Sequence, residues 1–186
     1  MSKIILVDMD GPLANFEEGV IDVWKRCYPD RPCLNLNERK SWWSEKEWET
    51  LRKGYWNDAL VLIETPGFFK NLSVVSRSRE ALEKIINAGY TVQICSTPRD
   101  GLIHTVEDKK AWLIEFFWKD IANSAIFTHD KTTVVGDYLI DDKPDIVGSK
   151  VPSWKQILWD MPFNQQTNGM PRVKSWKEVL EYFKIE

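Results

Sequence analysis

Lys3-Ile4-Ile5-Leu6-Val7-Asp8-Met9-Asp10-Gly11 is the stretch that decides the fold. An apolar run too short for a helix ends on two acidic residues spaced two apart and then on glycine, so it reads as a buried strand running into a tight turn. In a strand, side chains at i and i+2 leave the same face. Asp8 and Asp10 therefore converge at the carboxyl end of the strand, where open α/β sheets hold their ligands. A lone Asp there would serve equally as the N-cap of a following helix. Two carboxylates at this place suit Mg²⁺ or phosphoryl chemistry, and the rest of the chain bears on which reading holds.

Outward from that strand, the pattern Phe16, Val20, Val23, Trp24 predicts a helix over 13–26. The texture then changes. From Cys27 to about Thr65 there are prolines, the adjacent pair Trp42-Trp43, and Ser44 with Glu47 at the spacing of a capping box, but no convincing buried strand. This stretch reads as a small helical insertion, with Pro66-Gly67 marking its exit. Alternation resumes after it. Helices are expected over 78–88, with Leu82, Ile85 and Ile86 inward and Gly89 as the stop, over 105–119, and from a Ser175 cap to Phe183. Short strands are expected over 90–95, 124–127, 138–140 and 156–159. Short apolar strands alternating with helices indicate an α/β fold with a parallel sheet covered on both faces.

Composition narrows the function. The chain has 186 residues with 25 basic and 28 acidic side chains, a net charge of −3, and so provides no global field for a nucleic acid polymer. An anionic substrate must be met by local charge. Cys27, Cys33 and Cys95 are odd in number and lack metal-type spacing, which favours reduced thiols. No run is long enough to span a membrane and no cleavable leader pattern is present, so a cytoplasmic setting is expected. Whether the chain forms a homodimer is left open.

Three predicted strands end in polar residues, namely Asp8/Asp10, Ser96/Thr97 and Asp141/Asp142, and Lys131 follows a fourth. A parallel sheet brings these ends to one edge. Acidic pair, hydroxyl, lysine and second acidic pair, in that chain order, resemble the four motifs of the haloacid dehalogenase-like (HAD) phosphatase superfamily. Within it, Asp8-Met9-Asp10-Gly11-Pro12-Leu13-Ala14-Asn15-Phe16, Ile94-Cys95-Ser96-Thr97-Pro98, Asp130-Lys131-Thr132, Leu139-Ile140-Asp141-Asp142-Lys143-Pro144-Asp145 and Pro152-Ser153-Trp154 are similar to the 5′(3′)-deoxyribonucleotidases. Pro12, Asn15 and the Ser96-Thr97 order depart from that family's usual pattern without removing a catalytic group.

The resemblance implies a Rossmann-like core over 1–14 and 76–186, with a helical cap over 15–75. It implies a small-molecule nucleotide substrate and hydrolysis of deoxyribonucleoside monophosphates. Asp8 would be the nucleophile and Asp10 the acid and then the base. Ser96, Thr97 and Lys131 would hold the phosphate. Mg²⁺ would sit on Asp8, the Asp10 carbonyl and Asp142, with Asp141 orienting a water or Lys131. Phe16, Trp42 and Trp43 would lie over the base, whereas Trp112, Trp118 and Trp176, at helical spacings, are expected in the core. His104 and His129 fall near the same loops without zinc-site spacing, and Arg99 and Lys143 are candidates for pairing with phosphate or carboxylate. Two other readings remain. A phosphatase of another small ester such as a sugar phosphate would use the same motifs. A receiver-like signalling domain also combines acids, a hydroxyl and a lysine, but would not place a second Asp two residues after its acceptor.

Overall fold

In the computed structural model, which describes residues 2–186, β1 (Ile4–Val7) lies at the middle of a six-stranded sheet. The others are β2 (Thr91–Ser96), β3 (Ile126–Phe127), β4 (Tyr138–Asp141), β5 (Lys155–Trp159) and β6 (Arg172–Val173), in the order β3-β2-β1-β4-β5-β6. Every pairing is parallel. Ile5, Leu6 and Val7 are fully buried because helices cover both faces, which is why the strand reads as a continuous apolar run and not as an alternation. Strand order reverses between β2 and β4, on either side of β1, so the crevice for a ligand opens at the carboxyl end of β1.

Among the described residues, seven α-helices complete the fold: α1 (Phe16–Cys27), α2 (Glu45–Leu51), α3 (Tyr55–Ile63), α4 (Ser78–Asn87), α5 (Ile103–Phe116), α6 (Lys119–Ser124) and α7 (Trp176–Phe183). The first three follow one another between β1 and α4 with no strand of the sheet among them. An aromatic cluster packs them together. The Trp24 ring of α1 lies 4.4 Å from Trp48 of α2 and 4.9 Å from Tyr55 of α3, and its Nε1 donates to the Pro32 carbonyl at 3.2 Å. Rings of this size gain far more from leaving water than any one surface pair supplies. The chain enters and leaves this helical stretch side by side: Asn15 N donates to Ser73 O at 2.9 Å, and Val75 N to Leu13 O at 2.7 Å.

Several local expectations are corrected. The first helix begins at Phe16, because Leu13 and Ala14 are buried in the preceding turn, where both amides bond the Met9 carbonyl. The Ser44–Glu47 capping box does not form. Ser44 has helical backbone angles and no side-chain cap, while the Glu47 carboxylate turns to Arg39 and to the amides of Lys40 and Ser41. Ile86 is 39% exposed, on the outer edge of the α4 stripe. The helix expected over 105–119 starts two residues earlier and ends three earlier, as α5, and after the extended backbone of Trp118 a further helix, α6, follows that was not expected. Trp112 and Trp176 are buried, but Trp118 is half-buried, with the Arg79 guanidinium 5.4 Å from its ring. The short β6 and α3 were not foreseen.

Candidate active site

The turn after β1 is fixed from three sides. Gly11 N donates to Ala14 O at 2.9 Å, and Trp176 Nε1, from α7, donates to Pro12 O at 2.8 Å. Gly11 itself has φ +91°, and a Cβ there would stand 2.5 Å from Asp142 Oδ2. Glycine is required twice over, for the left-handed backbone and for the close approach of the second acidic pair.

The β1–β4 register pairs Val7 with Ile140, and Asp8 N donates to Ile140 O at 2.9 Å, so Asp8 stands beside the end of β4. One carboxylate oxygen each from Asp8, Asp141 and Asp142 lies within 4.8 Å of the others, all three residues being buried. Lys131 Nζ reaches Asp8 Oδ1 at 3.0 Å and Asp141 Oδ2 at 2.6 Å. Burial works against its charge, but Asp141 and Asp8 outweigh that and hold the ammonium well above its usual range. Trp154 Nε1 donates to the Lys131 carbonyl at 3.2 Å, and Ser153 Oγ bonds Gly136, so the Pro152-Ser153-Trp154 stretch braces the lysine's loop.

Asp142 has no such cation. Burial, then Asp141, Asp8 and Glu17, raise its carboxyl well above the ordinary carboxylate range. Its backbone is held in place by Asn164 Nδ2, which donates to Asp142 O at 2.9 Å and is itself bound by Arg172. Three converging carboxylates offset by a single lysine form a hard-oxygen set with uncompensated negative charge, which is the donor chemistry a divalent cation requires. The Asp10 carboxylate stands outside this set.

Asp10 is served by a residue that the sequence reading missed. Lys109 of α5 is fully buried, and its Nζ donates to Asp10 Oδ2 at 2.7 Å, Ser96 Oγ at 2.9 Å and Thr97 O at 2.9 Å. All three of its protons are used. A signal was present: the buried residues of α5 are Thr105, Lys109, Trp112 and Leu113, so Lys109 occupies the inward stripe of an amphipathic helix, where an unpaired lysine is almost never tolerated. Burial raises the Asp10 carboxyl more than Lys109 lowers it, and Asp10 Oδ1 is buried with no hydrogen-bond partner among the described residues. Burial therefore works toward the neutral form of this carboxyl and Lys109 against it.

Above these groups lies a cavity of about 500 Å³. Asp8, Asp10, Thr97, Lys131, Asp141 and Asp142 are at its polar end, and Phe16, Trp42, Trp43, Trp48, Trp56 and Phe69 supply aromatic walls. Ser96 does not line it; that hydroxyl is buried against Lys109, and Thr97 faces the space instead. The Trp42 and Trp43 rings meet edge to face at 4.6 Å, with Trp43 64% exposed and Lys143 Nζ 4.6 Å from the Trp42 ring. Phe16 stacks on Phe69 at 6.0 Å. The remaining polar candidates are engaged at the rim: Arg99 with Glu64 at 2.7 Å, His129 with Asp100 at 3.1 Å, and His104 Nε2 with the Glu64 carbonyl at 2.9 Å.

The chain is 34% identical over 179 residues to the human mitochondrial 5′(3′)-deoxyribonucleotidase, covering 94% of this chain and 78% of that protein. It is 31% identical over 186 residues to the human cytosolic-type enzyme of the same name, covering 95% and 92%. Among solved structures, a HAD family hydrolase from Deinococcus radiodurans with bound phosphate and sodium superposes with a TM-score of 0.64 at 14% identity, covering 98% and 95% of the two chains. A magnesium-bound HAD-hydrolase from Bacillus subtilis gives 0.60 at 13%, covering 99% of each. These structures share the fold. No helix among the described residues is long and apolar enough to cross a membrane. The family model "5′ nucleotidase, deoxy (Pyrimidine), cytosolic type C protein" matches residues 2–185, and the chain, a phosphoric monoester hydrolase with a HAD fold, belongs to that family.

Proposed function

We propose that this hydrolase releases phosphate from deoxyribonucleoside monophosphates through an aspartyl-phosphate on Asp8, in the cytoplasm, with the helical stretch 15–75 acting as a cap over the cleft. The observation that carries the reading is the different service of two neighbouring carboxylates. Asp8 is paired with Lys131 and faces the acidic cluster, whereas Asp10, half-buried, is paired with the buried Lys109 and has one oxygen without a hydrogen-bond partner among the described residues. Environments that separate two carboxyl groups in this way divide the roles of nucleophile and acid.

In the first half-reaction an Asp8 oxygen attacks phosphorus, the ester P–O bond breaks, and the proton on Asp10 passes to the departing sugar oxygen. In the second, the Asp10 carboxylate takes a proton from water as the water oxygen attacks phosphorus. The bond from phosphorus to Asp8 breaks, inorganic phosphate leaves, and Asp10 is protonated again. Mg²⁺, held by Asp8, Asp142 and the Asp10 carbonyl, would supply charge neutralisation for the phosphoryl group. Lys131 and Thr97 face the same oxygens and stabilise charge that is redistributed in the transition state. The aromatic walls suit a nucleobase, since stacking on one such ring is worth about 1–3 kcal/mol. The names of the human relatives support the same substrate class.

Phosphate release from a panel of ribo- and deoxyribonucleoside monophosphates, sugar phosphates and p-nitrophenyl phosphate, with Mg²⁺ and with EDTA, tests the proposal. A deoxyribonucleotide should lead the panel. Preference for a sugar phosphate over every nucleotide would refute the substrate and leave the chemistry standing.

A further inference from the structure

Arg39 lies between the helices of the inserted stretch and is 4% exposed, so its cationic head is almost wholly withdrawn from water. A buried guanidinium is tolerated only when its donors are filled, and here every nitrogen is used. Nε donates to Glu47 Oε2 of α2 at 2.8 Å, and Nη1 pairs with Glu17 Oε2 of α1. Nη2 donates to two backbone carbonyls, Ser41 O at 2.8 Å and Trp42 O at 3.2 Å. The Glu47 carboxylate completes the loop from the other side by accepting from Lys40 N at 2.7 Å and Ser41 N at 3.2 Å. The turn that presents Trp42 and Trp43 is thus held through its own backbone, while the Trp43 ring is 64% exposed.

Arg39 also reaches the core. Its guanidinium carbon is 4.9 Å from the Phe163 ring, and the next residue, Asn164, holds the Asp142 carbonyl. Glu17 is adjacent to Phe16 on α1 and shares the cavity with it. One side chain therefore joins the helix after the nucleophile turn, the helix after the Trp pair, the Trp pair's backbone and the segment that supports the second acidic pair.

We propose that Arg39 is the positioning residue of the aromatic wall: by clamping the Ser41 and Trp42 carbonyls between Glu17 and Glu47, and resting on Phe163, it sets where Trp42 and Trp43 stand over the cavity. The inference rests on the reading that those rings receive the base. Lysine cannot substitute, because three tetrahedral donors do not match a planar fork that serves two acids and two carbonyls at once.

The test compares Arg39→Met, Arg39→Lys and Trp43→Ala on deoxyuridine 5′-monophosphate and p-nitrophenyl phosphate with Mg²⁺. A triple variant, Arg39→Met with Glu17→Gln and Glu47→Gln, removes the two carboxylates that Arg39→Met alone would leave buried without a partner. In each Arg39 variant the ratio of kcat/KM for the nucleotide to that for the aryl ester should fall roughly tenfold, about 1.4 kcal/mol, chiefly through the nucleotide's KM. Arg39→Lys should not rescue it. Equal losses on both substrates, or rescue by lysine, would overturn the proposal. Trp43→Ala separates the two layers of argument. If it lowers the ratio and the Arg39 variants do not, Arg39 is refuted as the positioning residue; if it leaves the ratio unchanged, the base-wall reading fails and the Arg39 proposal with it.

Discussion

Replacing Lys109 by Met is the perturbation that most directly tests the division of labour between Asp8 and Asp10. Methionine keeps most of the aliphatic volume against Phe69, whose ring lies 4.7 Å from the ammonium, and deletes three hydrogen bonds, to Asp10, Ser96 and the Thr97 carbonyl. Truncating one partner of a buried ion pair costs about 3–5 kcal/mol. At about 2–4 °C per kcal/mol for a chain of this size, the melting temperature should fall by about 6–20 °C. Lys109 lowers the Asp10 pKa, against burial, which raises it more, so its loss moves that carboxyl further up. In the unfolded chain Asp10 ionises at its ordinary lower pKa, so its contribution to stability is lost as pH rises through the folded value. The destabilisation should accordingly be larger near about pH 8 than near about pH 5. The same displacement should move the alkaline limb of kcat to higher pH, because the first half-reaction needs Asp10 protonated. General acid–base catalysis is worth about 10²–10⁴-fold. With Asp10 no longer held, kcat on a deoxynucleotide should drop on the order of 10²-fold, and less on p-nitrophenyl phosphate, whose leaving group needs no proton. Steady-state kinetics on the two substrates across pH, with thermal melts alongside, would decide. Equal losses on both esters, or an alkaline limb that stays put, would show that Lys109 only fills space.

Asp8→Asn should abolish turnover of every ester while the protein stays folded, since an amide neither attacks phosphorus nor completes the acidic cluster; substantial residual phosphate release would refute the nucleophile. Dialysis against EDTA should stop activity and Mg²⁺ should restore it, with Ca²⁺ a poor substitute because its larger, looser shell misplaces the nucleophile; full activity in EDTA would rule out the metal. Gly11→Ala forces a Cβ to within 2.5 Å of Asp142 Oδ2 on a backbone at φ +91°. It should cost about 1–3 kcal/mol in stability and raise the Mg²⁺ concentration for half-maximal rate, a titration that an unchanged midpoint would contradict.

The strand ends and the sheet were legible because a buried parallel strand has almost one way to look: a short apolar run closed by polar residues at the turn. The adjacency of Trp42 and Trp43 also carried physical information, since two neighbours cannot both face one core, and Trp43 is indeed exposed. What escaped depended on partners that only the fold brings together. Lys109 bonds a residue 99 positions earlier, and only its place on an inward stripe hinted at it. Glu47 looked like half of a capping box because local spacing cannot reveal a buried arginine competing for the carboxylate. Ser96 is the hydroxyl at the end of β2, yet Lys109 claims it and leaves its neighbour Thr97 facing the cavity. α3 escaped because the sequence reading carried the insertion only as far as its first short helix.

The paired entry and exit of the inserted stretch bears on how such an enzyme could be rebuilt. Asn15 N bonds Ser73 O, Val75 N bonds Leu13 O, and Ala14 bridges Val74, so the chain departs from the sheet and returns to it at touching residues. A segment whose ends already meet can be lengthened, shortened or exchanged with little change in closure entropy, which grows only logarithmically with its length. Asp8, Asp10, Lys109, Lys131, Asp141 and Asp142 all lie outside it. Residues 14 and 74 therefore mark a splice point at which a different insertion could be grafted. It would have to replace the contacts that the present stretch makes with the rest of the chain: the Leu72 carbonyl on Trp112 Nε1, Gly67 N on Asp108, Glu64 on Arg99, Phe69 against Lys109 and Arg39 against Phe163. On the proposed reading, in which rings of that stretch receive the base, substrate choice would be exchangeable at these two points without touching the six residues assigned to the chemistry.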